Sequence, residues 1–237
     1  MHRHLRRGRG ITIARDFDGA DDEIAFGSDA SIDAFVSKTI GGWFRVDVTT
    51  SVRALLYKAT AFANPGWSAA HTAFGGPGVQ VPEFAHGFST TDGRWRTSTD
   101  RSDGELMHIT ITYNNSDVAN DPVIEINGVA ETLVEVAAPV GTADDDSGET
   151  LRAGLNSAGL NDFDGAMMSL AYDNQIWDAG MKNRHRWHGR PGGPVKVLHP
   201  FLTDKLVNEG TATADGTATG TTMTSIPRVT RPGCGVW

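Results

Sequence analysis

The chain is poor in cysteine, with one in 237 residues, Cys234. A lone thiol closes no internal disulfide, so the disulfide-stapled class of small secreted domains is excluded. Long apolar runs are missing too, and no stretch approaches the roughly 20 apolar residues of a membrane-spanning helix. Positive charge is short, with 21 Lys and Arg against 29 Asp and Glu and a net charge of −8. Such a balance repels nucleic acid and anionic membrane alike, so neither is an expected partner. Helix signals are scarce as well. One segment, 178–187, carries them: Asp178 is an N-cap residue type, and Arg184, His185 and Arg186 suit a helix C-terminus. Arg190-Pro191-Gly192-Gly193-Pro194 stops whatever precedes it.

What is present is strand. Hydrophobic residues make up 39% of the chain, enough to place it among globular rather than disordered proteins. Leu106-Met107-His108-Ile109-Thr110-Ile111-Thr112-Tyr113 alternates apolar and polar and predicts a half-buried strand. Asn114-Asn115-Ser116-Asp117 breaks it with turn formers. Val123-Ile124-Glu125-Ile126 resumes the pattern before Asn127-Gly128, the pair that a type I′ hairpin turn favours, and 129–136 is expected to pair back. Further strands are expected at 11–15, 23–26, 42–47, 53–58, 87–89, 151–153 and 167–172. The segment 210–222, rich in Thr, Ala and Gly, reads equally as a linker or as an exposed edge strand. The turn spacing predicts an all-β sandwich in one large domain. The expected organisation is a basic arm at 1–10, a single sandwich at 11–230 and a tail at 231–237.

Three segments carry a family likeness. They are Asp16-Phe17-Asp18-Gly19-Ala20-Asp21-Asp22-Glu23-Ile24, the strand Met107–Tyr113 with its later Asn127-Gly128, and Phe163-Asp164-Gly165-Ala166-Met167-Met168-Ser169-Leu170-Ala171-Tyr172. In order and separation they resemble the laminin-G-like, concanavalin A-like lectin–glucanase superfamily, of the kind found among phage structural proteins, across roughly 11–188. The resemblance implies a jelly-roll of two antiparallel sheets with one short helix in the C-terminal third. Met107 stands where that family usually has Trp, so the core there is expected to repack around a thioether. The stretch 198–226 resembles a segment that in many relatives precedes the first strand. A permuted order follows, with a C-terminal strand beside Ile11-Thr12-Ile13.

This fold carries lectins, adhesion modules, glycosidases and virion proteins, so activity must be read from side chains. Glycoside hydrolysis needs two carboxylates facing one cleft. Neither Asp22 with Ile24 nor Glu125 with Asn127 supplies such a pair on one strand face, and Glu131 and Glu135 read as a solvated hairpin arm. No enzyme is expected. Asp16, Asp18, Asp21 and Asp22 share one loop, and Asp144, Asp145 and Asp146 another. The second run is a calcium candidate because some relatives bind calcium at a sandwich rim; no other cofactor is expected. His185 and His188, interleaved with Arg184 and Arg186, read as a basic helix end rather than a zinc site. Cys234 reads as a passive thiol. Trp67 and Trp95 are candidate glycan-stacking or interface aromatics, with a core-strand role as the alternative for Trp67.

The largest local charge anomaly is the start, with Arg3, Arg6, Arg7 and Arg9 in an otherwise acidic chain. No apolar segment of a secretory signal follows it, so synthesis in a host cytoplasm is expected. The arm fits a contact with an acidic partner surface, a virion shell protein or a sister subunit. The expected function is a non-catalytic structural protein of a virion surface, a decoration, cement or fibre-associated protein. It attaches through the arm as a homo-oligomer and offers a glycan-contacting surface. The alternative is a carbohydrate-binding adhesion module outside any virion.

Overall fold

Alternation along Leu106–Asn114 sets the layer plan. Met107, Ile109, Ile111 and Tyr113 point into the main apolar core, while His108, Thr110 and Thr112 take the opposite face. The structure, a computed structural model, describes residues 11–227 apart from 49, 61, 74–78, 157, 200–207 and 214. The basic arm with Arg3, Arg6, Arg7 and Arg9, and the tail with Cys234, lie outside the described residues.

Two antiparallel sheets face each other. The first runs, in spatial order, β11 (Val129–Ala130), β10 (Val123–Ile126), β9 (Leu106–Asn114), β3 (Ser37–Val46), β14 (Asp164–Asp173), β1 (Ile11–Asp18) and β17 (Thr222–Pro227). A short β15 (Val197–His199) also pairs with β14. The second runs β12 (Leu133–Ala137), β7 (Gly93–Thr97), β6 (Val79–His86), β5 (Gly66–Thr72), β4 (Arg53–Ala59), β13 (Leu151–Ala153), β2 (Glu23–Gly27) and β16 (Thr217–Thr219). A two-residue β8 (Arg101–Ser102) joins β6. The expected all-β sandwich with one short helix is thus the observed architecture.

Phe44, Ile40 and Tyr172 of the first sheet meet Trp67, Phe84, Trp95 and Leu56 of the second in one continuous core. Met107 is fully buried there. Gly42 is required by this packing, since a Cβ would sit 2.7 Å from Phe44 Cζ and 2.8 Å from Leu170 Cδ2. The C-terminal strand closes beside the first, with Ile11 opposite Pro227, Thr12 opposite Ile226 and Ile13 opposite Ser225. The Thr-rich tract resolves into an edge strand, Thr217 opposite Ala25.

Two sequence expectations are corrected. The segment 129–136 does not pair back as one arm. After the two-residue β11 the chain crosses to the other sheet, where Leu133 lies opposite Thr97 and Glu135 opposite Trp95. Residues 87–89 form no strand, only a single bridge from Phe88 to Ala143.

Helix α1 (Ala179–His188) covers the outer face of the first sheet. Asp178 caps it by accepting from Met181 N at 2.7 Å, and Gly189 ends it in the left-handed region at φ 70°. Trp177 anchors the approach, buried, with its Nε1 donating to Asp173 Oδ2 at 2.7 Å. The helix end is not simply a solvated basic terminus. His185 is fully buried, and its Nε2 donates to the Ser169 carbonyl at 2.7 Å. Ser169 adopts φ 53° at a register shift of β14, a bulge placed beside the ring it must meet. No helix among the described residues is long and apolar enough to cross a membrane.

Candidate functional site

At one rim of the sandwich the inner rows of both sheets turn polar. Lys38 continues the inward row of Ile40 and Phe44 on β3, and His86 continues that of Phe84 on β6. The two side chains meet between the sheets, Nζ to Nε2 at 2.7 Å, both 1% exposed. The other ring nitrogen, Nδ1, lies 3.0 Å from the Gly87 carbonyl. A carbonyl can only accept, so Nδ1 carries the proton and Nε2 accepts from the lysine. Burial, and then the neighbouring Lys38, push the His86 pKa down to about 3, so the ring is neutral. Burial likewise pulls Lys38 down to about 7, against the attraction of Asp146 and with the repulsion of Lys58.

Lys58 fills the adjacent space from β4. Its Nζ contacts Asp33 Oδ1 at 2.8 Å, the Asp146 carbonyl at 2.6 Å and Asp146 Oδ1 at 3.4 Å. Tyr172 stacks on Phe35 at 4.9 Å and accepts from Trp67 Nε1 at 3.3 Å, closing the floor.

Above this floor opens a cleft of about 220 Å³, where three connections meet: the one carrying Phe35, the one starting at Asn115, and the one carrying Asp144 to Asp146. Lys38 and His86 form part of its lining. Asn115 donates from its amide nitrogen to the carbonyls of Phe35 and Val36, which leaves its Oδ1 as an acceptor. Asp144 is half-buried, and its carboxyl is raised by burial and then by Asp92. Asp145 is exposed, its carboxyl lowered by the Ser147 hydroxyl and backbone N–H. The cleft therefore offers several oxygen acceptors beside one buried amine and one aromatic wall.

The three consecutive aspartates do not form a cation cage. Asp146 is turned inward to Lys58 and the Ala34 N–H (2.6 Å), and Asp145 is turned to Ser147. Calcium needs six to eight oxygens converging on one point. Among the described residues, the carboxylates that do gather are Asp18, Asp21 and Asp22, within 4.8 Å of one another. One Asp22 oxygen there already accepts from the Asp18 N–H at 2.7 Å.

Trp67 and Trp95 are also placed differently from the expectation that they face a ligand. They are 0% and 1% exposed, so neither ring presents a face to a sugar or a partner. Trp67 is a core-strand residue, and Trp95 uses its Nε1 to hold Asp121 at 2.8 Å. Lys38, His86, Asn115 and Phe35 were not anticipated. Their signal was parity: Lys38 lies two residues before Ile40, and His86 two after Phe84, on rows that alternation already turned inward.

Solved structures share the two-sheet antiparallel sandwich. A candidate carbohydrate-binding protein from Bacteroides ovatus ATCC 8483 matches at TM-score 0.66 and 16% identity, over 92% of this chain and 61% of that one. This chain therefore spans less than two thirds of that protein's length. A native heptameric SAP-like pentraxin from Limulus polyphemus matches at 0.61 and 11%, over 90% and 94%. Mouse laminin α1 domains LG4-5 match at 0.47 and 14%, over 71% and 46%. The fold is the concanavalin A-like sandwich. No family model and no curated protein matches the sequence.

Proposed function

We propose that the protein is a non-catalytic carbohydrate-binding module, and that the rim cleft holds the glycan. The observation that carries this is the set of acceptors at Asp144, Asp145 and Asn115 beside the Phe35 ring. Sugar hydroxyls are donors that such oxygens orient, while an apolar wall takes the C–H face of the ring. The structural likeness to a candidate carbohydrate-binding protein supports the same reading. The test is a glycan array followed by calorimetry on the best ligand. Asp144→Asn with Asp145→Asn is expected to lower affinity at least about tenfold while the melting temperature holds, the loss of one or two hydrogen bonds to charged acceptors. Unchanged affinity overturns the site, and release of reducing sugar that Asp144→Asn abolishes overturns the non-catalytic reading.

A finer reading places this module on a virion surface, held to a shell protein or sister subunits by Arg3, Arg6, Arg7 and Arg9. It rests on the sequence: four guanidiniums within seven residues suit bidentate pairing with an acidic surface. Deleting residues 1–10 is expected to abolish attachment to particles and leave glycan binding intact. Full attachment by the deletion variant removes this reading.

A further inference from the structure

Sugar recognition accounts for the acceptors at the mouth of the cleft but leaves its amine unexplained. Lys38 is a primary amine, 1% exposed, that forms part of the cleft lining, and among the described residues no carboxylate forms an ion pair with it. Its hydrogen-bond partner is the neutral imidazole of His86. The carboxylates within reach of this layer, Asp33 and Asp146, are taken by Lys58 instead. A lysine placed only to neutralise charge would be expected in the second arrangement. The first is the setting in which a lysine acts as a nucleophile: desolvated, beside another cation, and held by a neutral hydrogen-bond acceptor.

We propose that Lys38 is the nucleophile of a carbonyl-capturing site, where a small aldehyde entering the rim cleft condenses with Nζ to form an imine. In the first step the Nζ lone pair forms a bond to the carbonyl carbon, and the C=O π pair moves to oxygen. The proton released from nitrogen passes to that oxygen, giving a carbinolamine, while the neutral His86 Nε2 holds the amine through its other N–H. In the second step the C–O bond breaks, the remaining Nζ proton leaves with the oxygen as water, and the nitrogen lone pair closes the C=N bond. Amine and aldehyde give imine and water, with no oxidant or reductant consumed.

Three features suit this chemistry. Near pH 7 a large share of Lys38 is unprotonated, because burial outweighs the attraction of Asp146. His86 stays neutral, so its Nε2 orients the amine by accepting from Nζ and does not compete for the carbonyl. The cleft, about 220 Å³, takes a molecule of a few carbons, and its acceptors suit a hydroxyaldehyde such as the open-chain form of a short sugar. The inference shares the cleft with the glycan reading but does not depend on it, since a small aldehyde reacts whether or not a glycan binds.

The chain contains its own controls, because Lys58 is buried but ion-paired, and Lys182 is paired with Glu125 at 2.6 Å near the surface. The full-length protein is incubated at pH 7 with glyceraldehyde and cyanoborohydride, which reduces an imine to a stable secondary amine. Adducts are then mapped by peptide mass spectrometry. Lys38 is expected to be labelled at least about tenfold faster than Lys182 and Lys196, neither of which lines the cleft. In urea the preference is expected to vanish, and in a folded His86→Phe variant the Lys38 rate is expected to fall. A Lys38 that stays unlabelled, or labels no faster than Lys182, overturns the proposal. So does a preference that survives unfolding, because it would then come from local sequence. The glycan-binding assay with the Asp144 and Asp145 variants is read without reduction, so either idea fails without the other.

Discussion

Lys38 and Lys58 lie side by side in the same inter-sheet layer, 1% and 0% exposed, yet they are held in opposite ways. Lys58 reaches two aspartates and a backbone carbonyl, so its charge is matched at short range. Lys38 has a neutral histidine. The difference shows that burial alone does not say what a charged residue contributes. A matched pair becomes costly when broken, whereas an unmatched cation is costly while present.

The comparison is sharpest when each lysine is replaced by methionine, which keeps the stem and removes the amine. Lys58→Met leaves Asp33 and Asp146 without their cation in a buried layer, and is expected to destabilise the protein by about 3–5 kcal/mol in urea unfolding. Lys38→Met removes an amine whose protonated form the fold disfavours. It leaves only the His86 Nε2 without a donor, a cost of about 1–3 kcal/mol. Against that, a fully buried lysine pulled from 10.5 to about 7 represents several kcal/mol of lost stability at neutral pH, at about 1.4 kcal/mol per pH unit. The net expectation is a gain on the order of 1–3 kcal/mol at pH 7. The unfolded chain binds the Lys38 proton below pH 10.5 and the folded chain only below about 7. The wild type therefore recovers stability as pH rises through that window, and above it the variant is the less stable of the two by the cost of the unpaired His86 Nε2. Equal losses from both substitutions would erase the distinction between the two lysines.

The sandwich was legible because its strands alternate cleanly. Leu106–Asn114 showed its inner row, and the pairing of β17 beside Ile11-Thr12-Ile13 followed from the family resemblance of the stretch 198–226. The site was less legible for a physical reason. A rim cleft is assembled from loops far apart in the chain, and the Asp33, Asn115 and Asp146 positions acquire meaning only when the sheets close. The tryptophans misled because loop-like flanks, Pro65-Gly66 and Asp92-Gly93, bracket residues that the strands then turn inward. The hairpin after Asn127-Gly128 misled because its turn is local, while the destination of Leu133 is set by the edge of the opposite sheet. Lysine at a core position breaks the usual hydrophobic code, so Lys38 and Lys58 were passed over although their parity was visible.

A second buried titratable region, beneath helix α1 and in the second sheet, gives a smaller effect in a separate pH window. His185 is pushed down to about 4 and His71 to about 3 by burial, and His108 is held well below its ordinary value by burial and then by His185. His185 Nε2 donates to the Ser169 carbonyl, so its Nδ1 accepts from His108 Nε2 at 2.9 Å while both rings are neutral. The unfolded chain takes up these protons below about pH 6.5 and the folded chain does not, so stability is full above that pH and falls as acid is added. By pH 5 each such histidine costs about 2 kcal/mol at most. His71 separates the titration from the hydrogen bonding, because among the described residues neither of its ring nitrogens has a partner. His71→Leu is therefore expected to match the wild type or exceed it slightly at pH 7, and to be more stable by about 1–2 kcal/mol at pH 5. His185→Leu, by contrast, leaves the Ser169 carbonyl and His108 unpaired and is expected to lose stability at both values. Urea unfolding of the three proteins at pH 5 and pH 7 checks this. A wild-type stability that stays flat from pH 7 to pH 5 would mean that these rings are charged in the folded state, and would remove the contrast with Lys38, whose window lies wholly above pH 7.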